Sequence, residues 1–221
     1  MDKQIFGQVD QYISDLLLPP DPILDDTIKS IENAGLPPIS VSANQGRLLQ
    51  VLVLLTRANR ILELGTLGGY STICMARALP EQGRLISLEL DPRCAEVAQT
   101  NINKAGLSAK VEIRVGKALN LLPGILAANE GPFDLIFIDA DKPPYAEYFD
   151  YAVKLSRPGT LIICDNVIRE GKVLDPSCED EMVQGVRRFN IALAQDQRVT
   201  ATLFQTIGAK EHDGMALAVV K

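Results

Sequence analysis

Histidine occurs once in the 221 residues, as His212 in the polar stretch "KEHDG". A single histidine excludes any mechanism that needs a histidine pair, and with Asp213-Gly214 beside it the position reads as a surface turn. Cysteine is sparse too. Cys74, Cys94, Cys164 and Cys178 lack metal-ligand spacing and read as reduced thiols of a cytoplasmic protein. No apolar run is long enough for a membrane span, since even "LLQVLVLLTRANRILELG" is broken by Arg57, Asn59 and Arg60. The opening "MDKQIFGQVDQYISD" mixes charge with hydrophobicity and has no signal-peptide core. Basic residues are outnumbered, 22 Lys and Arg against 28 Asp and Glu, and the net charge of −6 argues against a long nucleic-acid footprint.

What is present is an ordinary globular composition, 47% hydrophobic and 23% charged, in a chain long enough for one domain with a substantial core. Ile5, Val9, Tyr12, Ile13, Leu16 and Leu17 fall on one face at helical spacing, a stripe for the core or for a dimer contact. "LLPPDP" breaks that helix, and "ILDDTIKSIENAG" forms a second one stopped by Gly35. Ser42-Ala43-Asn44-Gln45 has the form of a capping box and opens a third helix to about Thr56. The chain then alternates. Strand-like "RILELG", "RLISLEL", "VEIRV", "FDLIFID" and "TLIICD" are separated by helical stretches of 10 to 14 residues, which implies βαβ units and a parallel sheet covered on both faces. "VTATLFQTIG" and "GMALAVVK", joined by a turn containing Asp213-Gly214, must be antiparallel. The expected architecture is α/β: a doubly wound, Rossmann-like, mostly parallel sheet over residues 58–221 with a reversed last strand, preceded by helical additions over 1–57.

In such sheets ligands bind at the carboxyl ends of the strands. The loop after the first strand, "ELGTLGGYS", carries Gly65, Gly68 and Gly69, which let backbone approach a ligand closely. Its spacing is not that of the dinucleotide fingerprint, and Glu63 at its start would repel a pyrophosphate. A ligand with cationic character suits it better, and S-adenosylmethionine qualifies. Glu89, ending the second strand, is placed to accept from ribose hydroxyls. The loop alone does not decide the ligand, because glycine-rich strand–helix turns occur in many α/β proteins.

Asp139 and Asp165 end the fourth and fifth strands, neighbours in a doubly wound order. With the Asn166 carbonyl they form an incomplete all-oxygen shell suited to Mg²⁺, or to another divalent cation such as Ca²⁺ or Mn²⁺. Such an ion, touched by the two oxygens of a catechol, favours the phenolate, and Lys142 beside it is placed as general base. Either aspartate alone reads equally well as a helix cap or turn former. Their joint occurrence with Asn166 and Lys142 tips the balance.

"ISVSANQGRLL", "ILELGTLGGYS", "FIDADK", "ICDNV" and "HDGMALAVV" together resemble the cation-dependent class I O-methyltransferases, the family of catechol and caffeoyl-CoA O-methyltransferases and their small bacterial relatives. The resemblance spans nearly the whole chain. It implies metal ligation by Asp139, Asp165 and Asn166, with Lys142 as catalytic base. It implies an S-adenosylmethionine site at Val41, Glu63, Gly65, Thr66, Ser71, Glu89, Ala118 and Asp141, a phenolic small-molecule acceptor, and a homodimer. Ala140-Asp141 resembles the plant and bacterial branch. The usual aromatic of the loop after Asp165 is absent, and Arg169 and Glu170 stand there. Three rivals remain: a tRNA hydroxyuridine O-methyltransferase on the same scaffold, a nicotinamide-dependent dehydrogenase, and a non-catalytic S-adenosylmethionine sensor. Acidity weighs against the first and glycine spacing against the second. The third gives no reason for Lys142 beside two carboxylates.

Overall fold

The computed structural model describes residues 3–208 and 211–221. Three helices come first, α1 (Lys3–Leu17), α2 (Pro22–Asn33) and α3 (Ala43–Thr56). The alternating part follows as β1 (Arg60–Leu64), α4 (Tyr70–Ala78), β2 (Arg84–Glu89), α5 (Pro92–Lys104), β3 (Val111–Val115), α6 (Ala118–Ala127), β4 (Phe133–Ile138), α7 (Tyr145–Lys154) and β5 (Ser156–Asp165). A short 3-10 turn, Arg169–Leu174, leads to α8 (Glu181–Gln195), β6 (Val199–Gly208) and β7 (Glu211–Val220). Helix starts follow local chemistry. Ser42 and Gln45 form the reciprocal capping box of α3, while Asp21-Pro22 and Asp91-Pro92 open α2 and α5 with a side-chain cap and a proline that gives up an N–H the helix would leave unpaired anyway.

The seven strands lie in the order β3-β2-β1-β4-β5-β7-β6, and β7 is antiparallel to both of its neighbours. The reversed strand expected from the sequence is therefore present, one position inside the edge. Strand parity divides the core. Leu62, Leu64, Ile136, Ile138 and Ile162 pack toward Tyr145, Phe149, Val186 and Phe189 of α7 and α8. Ile61, Leu85, Leu135, Phe137 and Ile163 pack toward Leu49 and Val53 of α3, Ile73 of α4 and Ile102 of α5. Burial of both sheet faces explains the near-continuous apolar runs.

One expectation is corrected and another narrowed. Asp213-Gly214 is not in the connecting turn; it lies inside β7 opposite Thr206 and Gln205, and His212 pairs with Ile207. Polar residues stand in a strand there because the Asp213 carboxylate accepts the backbone N–H groups of Ile168, Arg169 and Gly214, each at 2.9 Å, tying β7 to the loop after β5. Of the two readings of the α1 stripe, core or dimer contact, the fold removes the first: Ile5, Val9, Tyr12, Leu16 and Leu17 are all exposed. An amphipathic pattern shows that a helix has an apolar face without showing what covers it.

Candidate active site

The strand ends of the parallel sheet open into one cleft of about 720 Å³, within the usual range for a small-molecule site. Its floor is a close backbone crossing. Asp139 N–H donates to the Leu64 carbonyl at 2.9 Å, and a Cβ at Gly65 would stand 2.1 Å from the Asp139 carbonyl oxygen. Gly65 also has φ +94°, so the bend after β1 requires glycine twice over, sterically and conformationally. This crossing joins the two halves of the cleft.

The first half is built from the ends of β1, β2 and β3. Glu89, at the end of β2, holds the glycine loop: its Oε2 accepts from the backbone of Thr66 (3.0 Å) and Leu67 (2.8 Å), and its Oε1 from Asp91 N–H (2.9 Å). Gly65, Thr66, Ser71, Glu89 and Ala118 line this half, and Val41 lines the cleft from the loop before α3. Glu63 does not line it. Parity puts Glu63 on the α3–α5 face with Ile61, fully buried under the loop, where Ser71, Thr72 and Ser87 each donate a hydroxyl to it at 2.5–2.6 Å. Burial raises the Glu63 carboxyl to about 7, against the pull of those three hydroxyls.

The second half comes from the loops after β4 and β5. Lys142 is buried to 4% exposure, yet its Nζ lies 2.9 Å from Asp139 Oδ1 and 2.5 Å from the Tyr145 hydroxyl, which is buried beneath it. Tyr148 donates to Asp141 Oδ1 at 2.6 Å. Asp139, Asp141, Lys142 and Asn166 line the cleft, with Asp165 just behind them at 2% exposure. Among the described residues the only hydrogen bond to the Asp165 carboxylate is from Asn166 N–H, 2.8 Å from Oδ1. Burial, and next the Asp139 carboxylate, hold Asp165 well above the usual carboxylate range. A buried carboxylate that feels a second, partly exposed one, with the amide of Asn166 also lining the cleft, has the chemistry a hard divalent cation relieves. Among the described residues no three His, Cys, Asp or Glu side chains gather as a metal site; Asn166 is the further oxygen-bearing side chain that lines the cleft beside the two carboxylates.

Reading the sequence alone missed Tyr145, Tyr148 and Asp213 as supports of the site, and Lys117 and Met182 as parts of its wall. Only Tyr145 left a usable signal, since a polar aromatic three residues after Lys142 returns to the same side of a helical turn.

Residues 19–221 match the family model described as O-methyltransferase. The catechol O-methyltransferase of Niastella koreensis is 60% identical over 221 residues, covering 100% of both chains. That of Mycobacterium tuberculosis is 43% identical over 213 residues, covering 96% of this chain and 95% of the other. Among solved structures, the O-methyltransferase from Bacillus cereus in complex with SAH superposes with a TM-score of 0.98 at 49% identity over 100% of both chains. TomG from Streptomyces achromogenes, in complex with SAM, gives 0.96 at 46% identity over 100% of this chain and 99% of the other. The chain belongs to the O-methyltransferase family.

Proposed function

We propose that this O-methyltransferase moves the methyl group of S-adenosylmethionine to one hydroxyl of a catechol, with a divalent cation held by Asp139, Asp165 and Asn166. The observation that carries the reading is the meeting, in one cleft, of the glycine loop anchored by Glu89 with Lys142, Asp139 and Asn166. The relatives named catechol O-methyltransferase support the acceptor class.

The chain's own residues divide the work. Glu89 and the N–H groups it fixes shape the pocket for the nucleoside end, and Val41, Gly65 and Ser71 wall the methionine end. S-adenosylmethionine, when bound, supplies a methyl group on a sulfonium. The cation, when bound, supplies charge that favours the phenolate of the hydroxyl it touches. Lys142 Nζ takes the proton of the acceptor hydroxyl, with Tyr145 behind it holding the amine toward the cleft. Gly65 against Asp139 sets the distance between the two halves, so that alignment carries much of the rate.

A second copy of the chain is the partner this reading gives to the exposed stripe of α1. Among the described residues no helix is long and apolar enough to cross a membrane, and four free cysteines suit the reducing cytoplasm. The tRNA alternative has only the scaffold in its favour, against a net charge of −6.

The test is a methyl-donor assay over caffeate, 3,4-dihydroxybenzoate and simple catechols, with and without EDTA. Methylation of catechols but not of monophenols is expected, with a loss on the order of a hundredfold in EDTA that Mg²⁺ restores. Asp165→Ala should abolish the activity while S-adenosylhomocysteine still binds. Full turnover in EDTA would remove the cation from the account.

A further inference from the structure

Arg169 follows β5 and lines the cleft on the Lys142–Asn166 side, across β4 from the glycine loop. Its backbone is held at φ +52°, with its N–H tied to Asp213, so the main chain that carries the side chain is fixed from below. Its Nε is buried and has no hydrogen-bond partner; among the described residues only one other buried side-chain atom, Asn190 Oδ1, is in that condition. Apart from the buried Asp165, the carboxylates around Arg169 are engaged elsewhere. Asp139 pairs with Lys142, Asp141 accepts from Tyr148, Glu170 pairs with Lys172, and Asp213 accepts from three backbone N–H groups. A guanidinium whose buried Nε has no partner, on a half-buried side chain lining a cleft, can offer that edge of its planar fork to an anion.

We propose that Arg169 binds a carboxylate carried by the acceptor, so that the preferred substrates are catechols bearing an anionic carboxylate substituent. The inference rests on the catechol reading above and narrows it. The methionine carboxylate of the cofactor is the other anion that could reach the cleft. Arg169 stands beyond β4 from the glycine loop, so the titration of S-adenosylhomocysteine below separates that anion from the acceptor's.

The test compares 3,4-dihydroxybenzoate with the neutral 3,4-dihydroxybenzamide on the wild-type enzyme, Arg169→Gln and Arg169→Lys. Steady-state kinetics are read beside calorimetric titrations of both acceptors and of S-adenosylhomocysteine. Wild type should favour the carboxylate by about tenfold or more in kcat/KM, chiefly through KM, the scale a charge-assisted pair gives. Arg169→Gln should remove that preference in both kinetics and acceptor Kd, leaving the amide and S-adenosylhomocysteine within about twofold. Arg169→Lys, which keeps the charge without the fork, should restore part of it. Equal loss on both acceptors, weakened S-adenosylhomocysteine binding, or a wild type indifferent to the carboxylate would each overturn the assignment while the catechol reading stands. Failure of wild type to methylate either diol would overturn the catechol reading and this inference with it.

Discussion

Lys142 Nζ donates to the Tyr145 hydroxyl at 2.5 Å, and that hydroxyl in turn donates to the main-chain carbonyl of Asp165 at 3.0 Å, with the Ile138 carbonyl at 3.2 Å. One phenol thus links the amine after β4 to the backbone that presents Asp165 and Asn166 after β5. Burial, and next the Asp139 carboxylate, hold Tyr145 well above its ordinary value, so it stays a donor. Lys142 also lies 4.6 Å from the centre of the Tyr145 ring, which fixes where the amine can go.

Tyr145→Phe keeps the ring and removes the link. It should lower kcat by roughly tenfold, by freeing the amine and leaving the Asp165 carbonyl without its donor. KM for S-adenosylmethionine and the Kd of S-adenosylhomocysteine should hold within about twofold, since Tyr145 touches neither the glycine loop nor Glu89. A drop in thermal stability with an unchanged kcat would reduce Tyr145 to packing.

Gly185 gives an independent handle on the same amine, from the far side. α8 crosses the Lys142–Pro143 backbone so closely that a Cβ at Gly185 would stand 2.2 Å from the Lys142 carbonyl oxygen and 2.6 Å from the Pro143 Cα. In an open helix, glycine to alanine stabilises by about 1 kcal/mol. Here the new methyl meets backbone, which cannot swing aside, so Gly185→Ala should cost on the order of 1–3 kcal/mol and displace Lys142. Differential scanning calorimetry and kcat should fall together; a more stable variant with full turnover would show that the contact is soft.

These supports mark where sequence reading stops. The capping box at Ser42 and Gln45 was legible because it is a local exchange of two hydrogen bonds between residues three apart in the chain. The convergence of Asp139 and Asp165 was legible as well, because doubly wound order makes β4 and β5 neighbours and both residues sit at strand ends. Asp213 was not, since its purpose depends on the pairing of β7 with β5, which brings it beside Ile168 and Arg169. Glu63 shows the same limit at closer range. The motif put it in the binding loop, but strand parity turns the side chain under the loop and into three hydroxyls.

That buried carboxyl makes stability depend on pH in a direction opposite to most acidic residues. Glu63 is raised from 4.5 to about 7 by burial, so the folded chain holds its proton more tightly than the unfolded chain does. The stability it contributes is complete below the unfolded value and is lost as pH rises through about 7. Asp165 moves the same way in the absence of a cation, so the wild-type melting temperature should fall between pH 5 and pH 8. Glu63→Gln isolates one share. It keeps the shape and one acceptor oxygen, with an NH2 in place of the second so that the hydroxyl on that side must turn to accept, and it cannot ionise. Relative to wild type it should gain on the order of 3 kcal/mol on going from pH 5 to pH 8, leaving only the slope that belongs to Asp165. Chemical denaturation of both proteins at the two pH values measures this, and parallel wild-type and Glu63→Gln curves would mean that the three hydroxyls hold Glu63 ionised throughout.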